Sequence, residues 1–434
     1  MKKIFILLGA LLVLVIYSCK KDDKNNTDVT EPTEDELARD DLYDIMNTYY
    51  LWDKLMPVVV KENYTGPTDL LEAMRYKELD RWSYVQNYDD FVAQSQAIFV
   101  GHGIRIGLDQ NNQTRIAQIY KKSPMYSLGV RRGWIIKKLN GTDLAPIFIA
   151  GDGEAYYSLI GASQAGVTNT FLFQTPEGKD STITTTKSSF TLNTVIEYDT
   201  LMLKSGVTGH LVFEQFVQPS NAELETAFAF FKQNNINNII VDLRYNGGGD
   251  LTVLQNLAAY IGGSARFGKP FLTLKHNQQQ VARNKTYNFS TVTSPVSVSK
   301  MIVITTRSTA SASEDLINGL KPFLEVKTIG DTTNGKPVGM YGFNHNDLYM
   351  FWPISFELTN TASEGDFYKG FFPEKYVKDD ITHDWDDRRE SCLKEAIYYL
   401  ENGSVSSKSS YSYKRSVQFS EKPDGPKNAY LIDK

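Results

Sequence analysis

The chain has 434 residues, a formal net charge of −5 and an aromatic content of 12%. That charge excludes the basic footprint of a nucleic-acid binder, and the aromatic share suits a sizeable buried core. With two cysteines, Cys19 and Cys392, and five scattered histidines that form no H-E-x-x-H pair, a disulfide framework and a cysteine-rich zinc site are excluded, and nothing points to a metal or another cofactor.

Lys2 and Lys3 precede an uncharged apolar run from Ile4 to Ile16, followed by Tyr17, Ser18 and Cys19. The run is too short to span a bilayer comfortably and fits the apolar region of a secretory signal. The ending I-Y-S-C resembles a bacterial lipobox, which implies a signal peptide over 1–18 and a lipidated amino terminus at Cys19; a plain signal with an incidental cysteine is the alternative. Residues 19–32 are polar, lack aromatic side chains and read as a tether that cannot fold. Its K-D-D step resembles the export signal of surface lipoproteins in Bacteroidetes. The expectation is an extracytoplasmic outer-membrane lipoprotein, on the periplasmic or surface face, whose membrane contact is the lipid.

Thr33 and Glu36 form a capping box, and Leu37, Leu42, Ile45, Tyr49, Trp52 and Leu55 recur at helical spacing until Pro57. Weaker helical signals around 69–75 and 89–95 complete a helical region over 33–95, expected to be structural. From 96 to 190 the texture changes to short β-like runs with glycines, F-V-G-H-G-I-R-I-G-L, T-R-I-A-Q-I-Y and W-I-I-K-K-L-N-G-T-D-L, with Ser123-Pro124 opening a short helix between the last two. Their order resembles a PDZ domain of the bacterial protease type. The resemblance implies that Gly101, His102, Gly103 and Ile104 form a carboxylate-binding loop and that the strand Ile104–Leu108 takes a peptide by strand addition. A glycine-rich hairpin in a structural β-domain is the competing possibility, and His102 itself reads as a loop residue.

The span 191–400 has the texture of an α/β core. A buried strand (209–216) leads to an amphipathic helix with Leu224, Ala227, Phe228 and Phe231, and then to N-N-I-I-V-D-L-R-Y-N-G-G-G-D (237–250). A strand running into three glycines and then into the helical pattern of Leu251, Leu254 and Leu257 makes a sharp turn with exposed N–H groups. Such a turn holds a phosphate, stabilises an oxyanion or only reverses the chain; the phosphate option is weak because no G-x-x-x-x-G-K-[ST] is present. A second strand, K-M-I-V-I-T-T (300–306), ends at S-T-A-S-A-S-E. Ser311 with Glu314 is a capping box, and Lys336 after Asn334-Gly335 is an ordinary turn lysine. The same two residues can also supply a nucleophile and its general base without histidine or metal.

The series D-L-R-Y-N-G-G-G, T-A-S-A-S-E and G-D-T-T-N-G-K, after the PDZ-like segment and before G-F-F-P-E (370–374), resembles the S41 family of carboxy-terminal processing peptidases over about 33–400. The resemblance implies a multidomain α/β fold: a ClpP/crotonase-like α/β peptidase core with an inserted PDZ-like domain and an N-terminal helical region. It makes Ser311, favoured over Ser308 and Ser313, the nucleophile and Lys336 the general base. Gly247 or Gly248, together with Ala312, would give the oxyanion N–H groups, and Asp242 and Arg244 would brace the turn. The implied activity is a serine endopeptidase cutting near the carboxyl-terminal tails of extracytoplasmic proteins. Many family members carry a glutamine four residues after the lysine; Met340 stands there, so another group must orient Lys336, and Thr333 is one candidate. Two other classes compete: a Ser/His/Asp hydrolase drawing on His345 and Asp347, although no G-x-S-x-G elbow exists, and a non-catalytic peptide- or ligand-binding lipoprotein that keeps the fold. The serine-rich end, 401–434, carries no assigned role.

Overall fold

The computed structural model describes residues 31–407, 417–421 and 430–432. Cys19, the leader before it and the tether as far as residue 30 lie outside the described residues.

Thr33 caps α1 (Glu34–Tyr49): its hydroxyl accepts the Glu36 N–H at 3.3 Å, and the Glu36 carboxylate accepts the Thr33 N–H at 2.7 Å. Proline at the first position starts α2 (Pro67–Met74), and β1 (Tyr84–Asn87) leads into α3 (Tyr88–Ser95). These elements have no closed core of their own. Leu42, Met46, Tyr50 and Trp82 share one apolar cluster with Met340, Phe351 and Trp352, which come from far along the chain.

The next segment contains β2 (Ile98–Gly101), β3 (Ile104–Leu108), β4 (Thr114–Ile119), α4 (Pro124–Ser127), β5 (Ile135–Leu139) and β6 (Thr142–Asp143). It continues through α5 (Leu144–Ala150), α6 (Gly153–Ile160), β7 (Thr168–Gln174), β8 (Asp180–Thr186) and β9 (Ser188–Thr191). Strands β3, β4, β5, β7 and β8 form an antiparallel sheet, and β2 pairs with β9. Alternate residues, among them Ile106, Ile116, Leu139 and Phe171, meet Phe148 of α5 and Tyr156 of α6 in a separate core.

The remaining elements are β10 (Val195–Leu203), β11 (Gly206–Phe213), α7 (Ser220–Gln233), β12 (Asn238–Asp242), α8 (Leu251–Gly262), β13 (Pro270–His276), β14 (Lys285–Asn288), β15 (Lys300–Thr305) and α9 (Ala312–Leu320). They are followed by β16 (Glu325–Gly330), β17 (Val338–His345), β18 (Tyr349–Trp352), β19 (Ile354–Asn360), β20 (Lys375–Tyr376), α10 (Ser391–Asn402), β21 (Gln418–Ser420) and β22 (Tyr430–Ile432). One sheet runs β10-β11-β12-β15-β16-β20, parallel from β11 onward with β10 antiparallel at its edge. The period of two decides which helix each strand residue meets. Ile239, Val241, Met301 and Val303 share a cluster with residues of α7, α8 and α9, whereas Ile240, Ile302 and Ile304 lie with Leu393 and Ala396 of α10. Both faces are covered, which is why these strands read as unbroken apolar runs. Each buried isoleucine or leucine contributes about 1.5–3 kcal/mol of transfer free energy. A second sheet, β1-β18-β17-β19-β13-β14, brings the N-terminal elements and β17 together. Among the described residues no helix is long and apolar enough to cross a membrane.

Candidate active site

The site lies where β12, β15 and β16 end, at the carboxyl edge of neighbouring parallel strands, the usual location of reactive groups in open α/β sheets. After β12 the chain enters the glycine turn. Gly248 and Gly249 have φ of +99° and +143°, and a Cβ on Gly248 would lie 2.8 Å from the Ala310 carbonyl oxygen and 3.0 Å from the Ala312 nitrogen. Only glycine lets the two turns approach this closely.

Asn246 fastens them. Its carbonyl accepts the Ala310 N–H at 3.1 Å and the Ser313 hydroxyl at 3.2 Å, while its side chain accepts the Gly248 N–H at 2.9 Å and donates to the Phe213 carbonyl at 3.0 Å. The Gly248 N–H is therefore committed. Of the two glycines expected as oxyanion donors, Gly247 is the one whose N–H, like that of Ala312 at the first position of α9, donates no hydrogen bond among the described residues. Below the turn, Arg244 binds Asp242 at 2.6 Å, Asp379 at 2.7 Å and Glu390 at 2.9 Å; Asp242, Arg244 and Glu390 are buried, and the Asp379 side chain is largely covered. These charges brace the strand end, as expected of Asp242 and Arg244.

Ser311 joins β15 to α9 with φ +60° and ψ −120°, an unfavourable backbone for a residue with a side chain. Strain of this type costs about 1–3 kcal/mol and persists where the surroundings over-determine it. Glu314 supplies much of that constraint. It accepts the Ser311 N–H at 2.9 Å, as the capping box requires, and also the Thr333 hydroxyl at 2.5 Å, the Gly335 N–H at 2.7 Å and the Lys336 N–H at 2.9 Å. Burial raises its pKa, against the pull of those four donors. One carboxylate thus ties the serine turn to the lysine turn. The Thr333 hydroxyl also accepts the Phe371 N–H at 2.7 Å, so it shapes the turn rather than serving chiefly to aim the amine.

Lys336 is fully buried, and burial pushes its amine down to about 7 against the opposing carboxylates of Asp80, Asp315 and Glu314. Its Nζ lies 4.0 Å from Met340 Sδ, a soft contact with a weak acceptor where the family's glutamine would stand. Two of the neighbouring carboxylates had no signal in the sequence. Asp80 accepts the Tyr50 hydroxyl at 2.8 Å, the Trp82 and Ser83 N–H groups at 3.0 and 2.9 Å, and the Ser83 hydroxyl at 2.6 Å. Asp315 is buried, neither of its carboxyl oxygens is hydrogen-bonded among the described residues, and burial raises its pKa well above the usual range. The N-terminal elements also reach the lysine turn directly: Arg81 and Trp82 donate to Asn334 at 3.0 and 3.3 Å.

The other candidates lie elsewhere. His345 binds Asp41 of α1 at 2.6 Å, and Asp347 takes part in a turn with Asn344, so the Ser/His/Asp alternative has no geometry. Gly101, His102, Gly103 and Ile104 link β2 to β3. The His102 ring bonds Asn169 at 2.7 Å and is pushed down to about 4 by burial, while backbone N–H groups of this loop meet the carboxylate of Glu421.

The sequence profile of Peptidase family S41 matches residues 207–361, and that of the Peptidase S41 N-terminal domain matches residues 39–84. The carboxy-terminal processing protease CtpB of Bacillus subtilis is 24% identical over 255 residues, 58% of this chain and 49% of the relative. A protein of Staphylococcus aureus described as a CtpA-like serine protease is 23% identical over 342 residues, 77% of this chain and 62% of the relative. The chain thus spans roughly half to three-fifths of the length of these curated relatives. A crystal structure from Bacteroides fragilis described as an S41 protease has the same fold, with a TM-score of 0.67 at 21% identity over 83% of this chain and 96% of that one. On these matches the chain carries a domain of the Peptidase family S41 type over residues 207–361 and the S41 N-terminal domain over residues 39–84.

Proposed function

We propose that this chain is a serine endopeptidase of the carboxy-terminal processing type, working through a Ser311/Lys336 dyad on a ClpP/crotonase-like core with an inserted PDZ-like domain over 96–190. The observation that carries the proposal is that one Glu314 oxygen accepts the backbone N–H groups of both Ser311 and Lys336, which ties the serine turn to a fully buried lysine whose amine burial lowers to about 7. The name of the Bacillus relative supports the substrate class.

A lysine of ordinary pKa is an ammonium near neutral pH and cannot accept a proton; at about 7 a large share is neutral. Neutral Lys336 takes the Ser311 hydroxyl proton as Oγ bonds to the scissile carbonyl carbon. The oxyanion that forms is met by the N–H groups of Gly247 and Ala312, at the positive end of α9. The C–N bond then breaks, and the Lys336 ammonium protonates the leaving amine. Water attacks the acyl carbon and gives its proton to Lys336; the acyl C–Oγ bond then breaks, the proton returns to Ser311 Oγ, and the new carboxyl terminus is released. Because Ser311 is fully buried in this conformation, the walls of the site must part before a substrate enters.

The proposed substrates are carboxyl-terminal tails of extracytoplasmic proteins, with the enzyme tethered to the outer membrane through lipid on Cys19. Purified Ser311→Ala and Lys336→Ala variants are expected to stay folded and to lose cleavage of peptides with apolar carboxyl ends. Residual cleavage by Ser311→Ala at the wild-type rate would overturn the dyad and favour a non-catalytic binding protein contaminated by another peptidase.

A further inference from the structure

Three successive backbone N–H groups between β2 and β3 converge on one carboxylate. Glu421 accepts from His102 at 2.7 Å, from Gly103 at 2.6 Å and from Ile104 at 3.0 Å, and it is buried. Gly103 has φ +81°, which turns these donors to one side. A carboxylate taken out of water in this way depends on such bonds.

The residues before Glu421 complete the pattern. Strand β21 lies antiparallel along β3, with Phe419 opposite Ile106 and Ser420 opposite Arg105, and the Leu108 N–H reaches the Val417 carbonyl at 3.1 Å. The Phe419 ring sits among Phe148 at 4.9 Å, Tyr156 at 5.4 Å and Tyr157 at 6.0 Å, between α5 and α6. Added strand, apolar anchor and captured carboxylate are the three parts of strand-addition peptide recognition. The fit is close: a Cβ on Gly101 would stand 2.8 Å from Glu421 Oε2, and one on Gly107 would stand 2.9 Å from Gln418 Cγ. The segment also touches the braces of the glycine turn, because Gln418 donates to Asp379 at 2.8 Å and Asp379 binds Arg244.

We infer that residues 417–421 are an internal ligand of the groove beside β3, the Glu421 side chain standing in for a terminal carboxylate, and that an incoming peptide tail must displace them. The competing ligand is a peptide with a free carboxyl end and a large apolar residue two positions before it, the spacing of Phe419 and Glu421. A tethered ligand competes at a high effective concentration, so free peptide binds only the fraction of molecules whose groove is open. The inference rests on taking the β3 sheet as a peptide-binding unit and is independent of catalysis.

The test is a fluorescence-anisotropy titration of the full chain carrying Ser311→Ala with a labelled pentapeptide V-Q-F-S-A, as free acid and as carboxamide. Added Glu421→Gln or Phe419→Ala is expected to tighten binding of the free acid about tenfold or more, with no such gain for the carboxamide. The two substitutions release the segment by different contacts, so one can fail to fold without losing the test. Equal free-acid affinity with and without the substitutions would overturn the internal ligand while leaving the peptide groove intact. Absence of binding in every variant would overturn both, and neither outcome bears on the Ser311 dyad.

Discussion

Ser311 and Lys336 donate their backbone N–H groups to the same oxygen, Oε2 of Glu314, each at 2.9 Å. The other oxygen of Glu314 takes the Thr333 hydroxyl and the Gly335 N–H. Glu314→Gln keeps the shape but sets an NH2 group against backbone donors, leaving buried polar groups unsatisfied. Unfolding free energy is expected to fall by about 1–3 kcal/mol in urea titrations. If the dyad operates, kcat should drop about 100-fold with a smaller change in KM, because misplacement of the reacting groups by about 1 Å is enough for such a loss. Wild-type kcat in a folded Glu314→Gln variant would show that the clamp is dispensable.

Gly248 separates the two turns by backbone alone. Gly248→Ala adds a Cβ 2.8 Å from the Ala310 carbonyl oxygen at a φ of +99°. The expected cost is about 1–3 kcal/mol of stability, with loss of turnover exceeding loss of binding. Thermal unfolding and steady-state kinetics on one preparation separate the two effects.

Much of the candidate site was legible because it is local. The runs 237–250 and 300–311 are each a buried strand, a turn and a helix within a few residues, so their apolar pattern and glycines announce them, and parallel pairing of β12 with β15 sets Ser311 beside the glycine turn. What pairing contributes from a distance was not legible. Glu314 looked only like the reciprocal half of a helix cap, since nothing in S-A-S-E signals a carboxylate that also reaches residues 333–336. Asp80 is a single acid in an unremarkable stretch, brought to Lys336 because β1 pairs with β18. The choice between Gly247 and Gly248 needed the Asn246 side chain, and the serine-rich end gave no hint that Glu421 would meet the β2–β3 loop.

Met340 marks the departure from the family's glutamine, and its sulfur is 4.0 Å from the Lys336 amine. Met340→Gln offers a strong acceptor to an amine that must be aimed. A gain of about 3–10-fold in kcat with KM unchanged is expected if orientation limits turnover. A loss of activity without loss of stability would mean that the thioether contact already suits the amine.

Asp315 is a buried acid whose carboxyl oxygens have no hydrogen bond among the described residues. Replacing it by leucine removes the cost of burying it and is expected to raise stability at neutral pH by about 1–3 kcal/mol. Its folded-state pKa is raised above the ordinary 3.8, so above that pH the unfolded chain has released a proton that the folded chain retains. Stability therefore falls as pH rises past 3.8, and Asp315→Leu should abolish that component. Unfolding titrations of both proteins between pH 4 and 8 check the sign, the pH limits being roughly the window given by the cited direction.

Lys336 is central, and its protonation state can be followed in two ways. Activity is expected to rise with pH through about 7 as the amine becomes neutral. Between about 7 and 10.5 the unfolded chain holds a proton on Lys336 that the folded chain has lost, so this residue makes stability rise with pH there, and Lys336→Met should lose that rise. The most direct measurement is an NMR titration of the Lys336 side-chain amine in the intact Ser311→Ala protein, assigned by its disappearance in Lys336→Met. A midpoint near 7 is expected for a buried general base, and a midpoint near 10.5 would contradict it.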